Sequence, residues 1–208
     1  MKKLIGLVIL ALAFVPATGN AEPGDLLVRL RAVKINTANK SDAIPALGVP
    51  ADAITVSDKT IPEVDFTYFF TDHVAAELIL TVPQQHDVEL LGTKLGTFKH
   101  LPPVLAAQYH FAPDAAFRPY LGLGLNFTLI SDVKLAVPGV GKLDLSGSSL
   151  GLAAQAGFDV KLSDKLFLNA DVKYVKLGSD VKLAATGQKV SSVDIDPWLI
   201  GLGVGYRF

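Results

Sequence analysis

Leu121-Gly122-Leu123-Gly124-Leu125-Asn126-Phe127-Thr128 decides the fold, because every second side chain is large and apolar and those between are small or polar. A period of two belongs to a strand with two unlike faces, whereas an amphipathic helix needs apolar residues three and four apart. Ile200-Gly201-Leu202-Gly203-Val204-Gly205-Tyr206-Arg207-Phe208 at the C-terminus has the same form. So has Val64-Asp65-Phe66-Thr67-Tyr68-Phe69-Phe70-Thr71, with its even positions apolar.

Outward from these segments the alternation is found eight times, over about 25–36, 62–71, 74–83, 99–111, 118–129, 148–161, 166–177 and 193–208. The connections near 72–73, 112–117 and 162–165 are short. Those near 37–61, 84–97, 130–147 and 178–192 are long and richer in Gly, Pro, Ser and charge. Tight turns at one end and long loops at the other describe an up-and-down meander. The predicted fold class is all-β, an eight-stranded antiparallel up-and-down transmembrane β-barrel.

Composition agrees. Half of the 208 residues are apolar, and the mean hydropathy of +0.40 is high for a chain that meets only water. Nineteen basic residues against 20 acidic ones leave no surplus for phosphate neutralisation, so nucleic acid is not an expected partner. The absence of cysteine removes disulfides, thiolate metal sites and cysteine nucleophiles. Lys2 and Lys3 precede the apolar run Leu4 to Val15 and the small residues ending Gly19-Asn20-Ala21, the order of a secretory signal. The expected organisation is a signal peptide over 1–21 and a barrel over 22–208, exported to the outer membrane.

Periodicity leaves one question open, since a soluble barrel of lipocalin type hides its apolar face inside. The polar faces carry Arg29, Arg31, Asp65, Glu77, Arg118, Asp159, Asp171, Lys173 and Arg207 among glycines, a set suited to charge pairing across a narrow lumen. The opposite faces are almost wholly aliphatic and aromatic, as a lipid belt requires. Tyr68, Tyr109, Tyr120, Tyr174, Trp198 and Tyr206 fall toward strand ends, where interfacial girdles form. The membrane barrel is the reading favoured.

Chemistry-bearing motifs are sparse. Gly147-Ser148-Ser149-Leu150-Gly151 fits the nucleophile-elbow pattern, but a strand follows it and all four histidines (His73, His86, His100, His110) precede it. The glycine runs at 122–124 and 201–205 open no helix, and the histidines lack metal-ligand spacing. Asp194 and Asp196 share a strand face beside basic residues and read as a salt network. No enzyme, cofactor or metal is expected. Leu101-Pro102-Pro103, within the fourth alternating segment, is the informative irregularity. Successive residues of an antiparallel strand direct their N–H groups to opposite neighbours, so two prolines cost one ladder bond on each side. In a closed wall that is a weakened seam.

These residues resemble the OmpW family of outer-membrane proteins, with its AlkL-type members. The resemblance spans nearly the whole of 22–208 and rests on Gly24-Asp25, FTYFFTDHVAAELILTVP at 66–83, HLPPVLAAQYHF at 100–111, FRPYLGLGLNFT at 117–128 and DPWLIGLGVGYRF ending at Phe208. It implies passage of small hydrophobic molecules, entering from outside into an apolar tunnel and leaving sideways near Pro102 and Pro103. Where family members carry an aromatic pair after the fifth strand and a tryptophan opening the sixth, this chain has Leu129-Ile130 and Leu150. The mouth is therefore expected to be apolar but not aromatic. The expected tunnel lining is Ile79, Val104, Leu129 and Val175. Tyr206 and Phe208 resemble the terminal signal read by the barrel-assembly machinery. Expected partners are that machinery, outer-membrane lipid and lipopolysaccharide, and small hydrophobic solutes. The alternative is a structural or surface-interaction barrel whose long loops make contacts without transport.

Overall fold

The computed structural model describes residues 23–44 and 48–208; the expected signal peptide at 1–21 lies outside the described residues. The strands are β1 (Leu26–Asn36), β2 (Lys40–Ser41), β3 (Ile54–Val56), β4 (Lys59–Phe69), β5 (Val74–Thr81), β6 (Gln84–Leu90), β7 (Thr93–Leu101) and β8 (Val104–His110). They continue as β9 (Phe117–Val137), β10 (Gly141–Leu145), β11 (Ser148–Lys161), β12 (Leu166–Val175), β13 (Gly178–Leu183), β14 (Lys189–Asp194) and β15 (Trp198–Arg207).

Eight of these form the barrel. β1, β4, β5, β8, β9, β11, β12 and β15 pair antiparallel in that order, and β15 returns to β1 over Leu27↔Arg207 to Asn36↔Trp198. Closure leaves the ring no free edge. The apolar faces point outward. Leu123 is 72% exposed and Leu152 69%, while Arg29, Asp65 and Glu77 are at 0%. A soluble barrel reverses that arrangement, so the alternation describes a wall facing lipid.

Aromatic contacts cluster at the ends of the belt. Tyr68 with Phe70, Tyr109 with Phe111, and Tyr206 with Phe208 stand toward the short-turn end, and Tyr174 with Trp198 toward the other. Tyr120 does not join them. It has the inward parity of β9, is buried, accepts a hydrogen bond from Asn169 Nδ2 at 3.2 Å, and has the Arg29 guanidinium 5.2 Å from its ring centre.

The glycines of the inner face make room for the charges. A β-carbon on Gly203 would stand 2.7 Å from Arg31 Cγ and 2.2 Å from the Leu30 carbonyl oxygen. Only a residue without one lets the arginine lie along the wall.

The long connections are more regular than their composition predicts. β6 and β7 form a hairpin whose turn, Leu91-Gly92, has φ of 49° and 78°, the positive values that a two-residue hairpin turn demands. β9 continues to Val137, β7 pairs with its upper half, and β10, β13, β14 and β2 follow as further antiparallel neighbours. The barrel wall thus rises beyond the apolar belt as paired strands. The single segment expected over 99–111 is two strands, β7 and β8, parted at Pro102-Pro103.

Candidate functional site

The barrel interior has three storeys. The uppermost, among the raised hairpins, is apolar. A cavity of about 320 Å³ lies between Ile44, Val49, Leu90, Val137, Val140 and Val190. It shares Ile54, Leu95, Leu143 and Val181 with a deeper void of about 30 Å³. Inward alternation places these side chains there: Val88 on β6, Leu135 on β9, Val181 on β13 and Val193 on β14 all belong to one buried cluster.

The middle storey is a cavity of about 30 Å³ at the proline seam, lined by Ile35, Ile61, Pro102, Val104, Val175, Leu177 and Leu199, with Thr81, His100, Asn126, Glu63 and Lys173 as polar members. β5 pairs with β8 only as far as Ile79↔Val104, and pairing resumes at Gln84↔His100 between β6 and β7. Among the described residues no ladder joins Leu80–Pro83 to Leu101–Pro103. The other side of the prolines is bridged. Lys99–Leu101 of β7 and the whole of β8 keep one register along β9, and Phe127 N donates to Pro103 O at 3.0 Å. The seam therefore opens on one side, toward β5.

The lowest storey is ionic. Arg31 reaches Glu63 at 2.8 Å, Asp65 at 2.6 Å and Asp171 at 2.8 Å, and Lys173 adds a contact to Glu63 at 2.9 Å. Below, Arg29 holds Asp159 through two nitrogens, at 3.0 and 2.6 Å, and Glu77 at 3.0 Å. Neutral groups complete the pairing: Gln155 Nε2 donates to Glu77 at 2.7 Å, and Asn169 Nδ2 donates to Asp159 at 2.9 Å. Buried charges persist only when paired and hydrogen-bonded in this way. Glu63 and Lys173 form the floor of the seam cavity, whereas Asp159 lines a small void at the short-turn end. The network thus fills the cross-section between them.

Residues 22–208 match the model of the OmpW family. The chain belongs to the OmpW family. An uncharacterized outer-membrane protein of Sinorhizobium fredii, y4mB, is 40% identical over 185 residues, which is 87% of this chain and 79% of that one. Outer membrane protein W of Vibrio cholerae is 34% identical, with both chains covered completely. The crystal structure of OprG from Pseudomonas aeruginosa superposes with a TM-score of 0.78 at 31% identity, over 92% of this chain and 99% of that one. The chain is an outer-membrane barrel, as its OmpW-family relatives are.

Within this OmpW-family barrel the charged residues named from sequence are all buried inside, but they form two groups. Arg29, Arg31, Asp65, Glu77, Asp159, Asp171 and Lys173 make the central network. Arg118 and Arg207 stand lower, their guanidinium carbons 4.9 and 4.8 Å from the ring centre of Phe167, and Arg207 also meets Asp25 at 3.3 Å. Glu63 escaped the sequence reading although it shares the inward parity of Asp65, and it is the carboxylate that ties Arg31 to Lys173.

Of the expected lining, Val104 and Val175 border the seam cavity, and Ile79 is buried at the last rung of the β5–β8 ladder. Leu129 is a correction. It has the parity of Leu125 and Phe127, is 44% exposed, and faces outward; the inward position is Ile130. Leu150 likewise points outward, opposite Phe127. The aliphatic mouth is built instead by the raised hairpins, whose composition of Gly, Pro, Ser and charge predicts long loops and points to no lining residues. Tyr206 and Phe208 pack edge to face at 5.0 Å, with Phe208 exposed on the lipid side.

Proposed function

We propose that this barrel is a passive conduit for small hydrophobic molecules, which enter from outside through the apolar upper cavities and leave sideways between β5 and Pro102-Pro103. The observation that carries the reading is the stacking of apolar voids on an ionic floor, with the wall unpaired beside the void directly above that floor. An apolar solute gains nothing by crossing buried ion pairs to reach water, and gains by passing into lipid. An eight-stranded lumen is in any case filled by side chains. Within the same reading Tyr206 and Phe208 serve assembly of the barrel into a membrane of lipid and lipopolysaccharide.

The test is uptake of a small hydrophobic fluorophore by cells lacking their own homologue, with this protein or its Pro102→Ala/Pro103→Ala variant. Faster uptake that the variant loses supports the side exit. Equal uptake through folded wild type and variant sinks it. The filled lumen also favours a second reading, an interaction barrel presenting its raised hairpins. No gain over empty cells, with the barrel folded, selects that one.

A further inference from the structure

Hairpin β6–β7 carries a stack of rings across the path. The ring centres of His86 and His100 are 4.7 Å apart with planes 21° from parallel, and Phe98 lies 5.8 Å from His86. Phe98 lines the void below the mouth, and His100 lines the cavity at the seam. The rings therefore stand between the two apolar spaces. Both imidazoles are fully buried.

Hydrogen bonding assigns the protons. Nδ1 of His86 is 2.7 Å from the carbonyl oxygen of Ser57. A carbonyl only accepts, so that nitrogen carries the hydrogen. His86 sits on the raised hairpin beyond the apolar belt, and burial pulls its pKa below the ordinary histidine value. In the neutral ring Nε2 is a lone-pair acceptor. Among the described residues it has no hydrogen-bond partner, and neither has Nδ1 of His100. Buried polar atoms without partners are uncommon in native structures and call for an explanation.

The surroundings narrow what such a partner carries. Above the stack the lining is Ile, Val and Leu, with Phe98, Pro138 and Ser179 as exceptions, which suits an aliphatic chain. A hydroxyl both donates and accepts: it gives His86 Nε2 its hydrogen and offers a lone pair to an N–H of His100. A carboxylate has no hydrogen to give, and Glu63 lines the adjoining cavity. We propose that His86 and His100 form a head-group site at which the barrel holds a neutral aliphatic alcohol, its chain in the apolar cavities, so that alcohols are bound in preference to hydrocarbons of equal length. This rests on the conduit reading.

The experiment uses the complete folded barrel in lipid nanodiscs, isotope-labelled at histidine and at Val and Leu methyls, and titrated in parallel with octanol and octane. Octanol is expected to shift both imidazole signals saturably, and to act on the Val181 and Leu143 methyls at about ten-fold lower concentration than octane, a difference of about 1.4 kcal/mol. His86→Phe and His100→Phe keep a ring in the stack and are expected to bring octanol to the level of octane. Methyl shifts at equal concentrations of the two compounds, with the imidazoles unmoved, overturn the head-group site and leave the conduit standing. Methyls that respond to neither compound overturn both. The wild-type titration decides the matter even where a variant fails to fold.

Discussion

Arg31→Met removes the cation that three buried carboxylates share. Arg31 contacts Glu63, Asp65 and Asp171 at 2.8, 2.6 and 2.8 Å, all with side chains almost wholly shielded from solvent. Lys173 still reaches Glu63 at 2.9 Å and Asp171 at 4.0 Å, but among the described residues Asp65 has no other cation within 4 Å. Removing one partner of a buried ion pair costs about 3–5 kcal/mol, because the remaining charge is desolvated without compensation. With a urea slope of about 1–3 kcal/mol per molar, the unfolding midpoint is expected to fall by roughly 1–5 M. The protein's one tryptophan, Trp198, sits on the outer face at the start of β15 and reports unfolding by its fluorescence. Adding Asp65→Asn and Glu63→Gln to Arg31→Met is expected to recover most of the loss, since a neutral buried set costs far less than an unpaired charge. A single variant that folds with its midpoint within about 0.3 M of wild type refutes the ionic floor as a stabilised, closed layer.

Gly203→Ala sets a β-carbon 2.7 Å from Arg31 Cγ and is expected to cost about 1–3 kcal/mol in the same titration, whereas an alanine tolerated without loss means that the wall yields there. Val181→Trp fills the space shared by the two upper voids and is expected to slow uptake of a hydrophobic fluorophore, while Leu129→Trp, on the outer face, leaves it unchanged; equal effects contradict entry through the upper cavities. On the exposed outer surface, the hydrogen bond from Lys99 Nζ at 2.7 Å, and its charge, hold the Asp132 carboxyl below the usual aspartate range. A depressed carboxylate stabilises above its unfolded pKa and loses that contribution as pH falls through the folded one. Lys99→Met should therefore raise the Asp132 titration seen by NMR toward the ordinary value, and no movement removes the pairing.

Much of this was legible because a strand obeys a rule of parity. Once Leu121, Leu123 and Leu125 are set on one face, Asn126 and Thr128 follow on the other, and closure of the ring brings Arg29 beside Glu77 and Asp159 from strands far apart in the chain. The same rule excludes Leu129 from the lining, since it shares the outward parity of Leu125 and Phe127. Tyr120 misled in the opposite way. An aromatic residue near a strand end fits a girdle by type, and only its even number places it under Arg29. The raised hairpins were not legible because their alternation is shifted by bulges, as between Val88 and Glu89 and between Val181 and Lys182, and is interrupted by Gly and charge. The histidine stack was out of reach for a further reason. His86 and His100 are fourteen positions apart, and only the β6–β7 register brings their rings together.

The ionic floor and the open seam are consequences of one constraint. Eight strands enclose a lumen that side chains largely fill, and here the ionic storey closes off the voids above it. Packing the lower storey with paired charges makes it impassable to an apolar molecule, because entry would separate ions already taken out of water. Under the proposed conduit, a route that begins among Val137, Val181 and Val190 would leave through the wall. A closed antiparallel wall has no weak line unless backbone donors are removed, and proline is the residue that removes them. Pro102 and Pro103 do so at the level where the apolar storey meets Glu63 and Lys173, and the break faces β5 rather than β9. Had the prolines stood lower, beside Arg29, the seam would open onto charge, and had they stood among the raised hairpins it would open onto water. Their position at the junction is what makes a sideways path into lipid physically coherent.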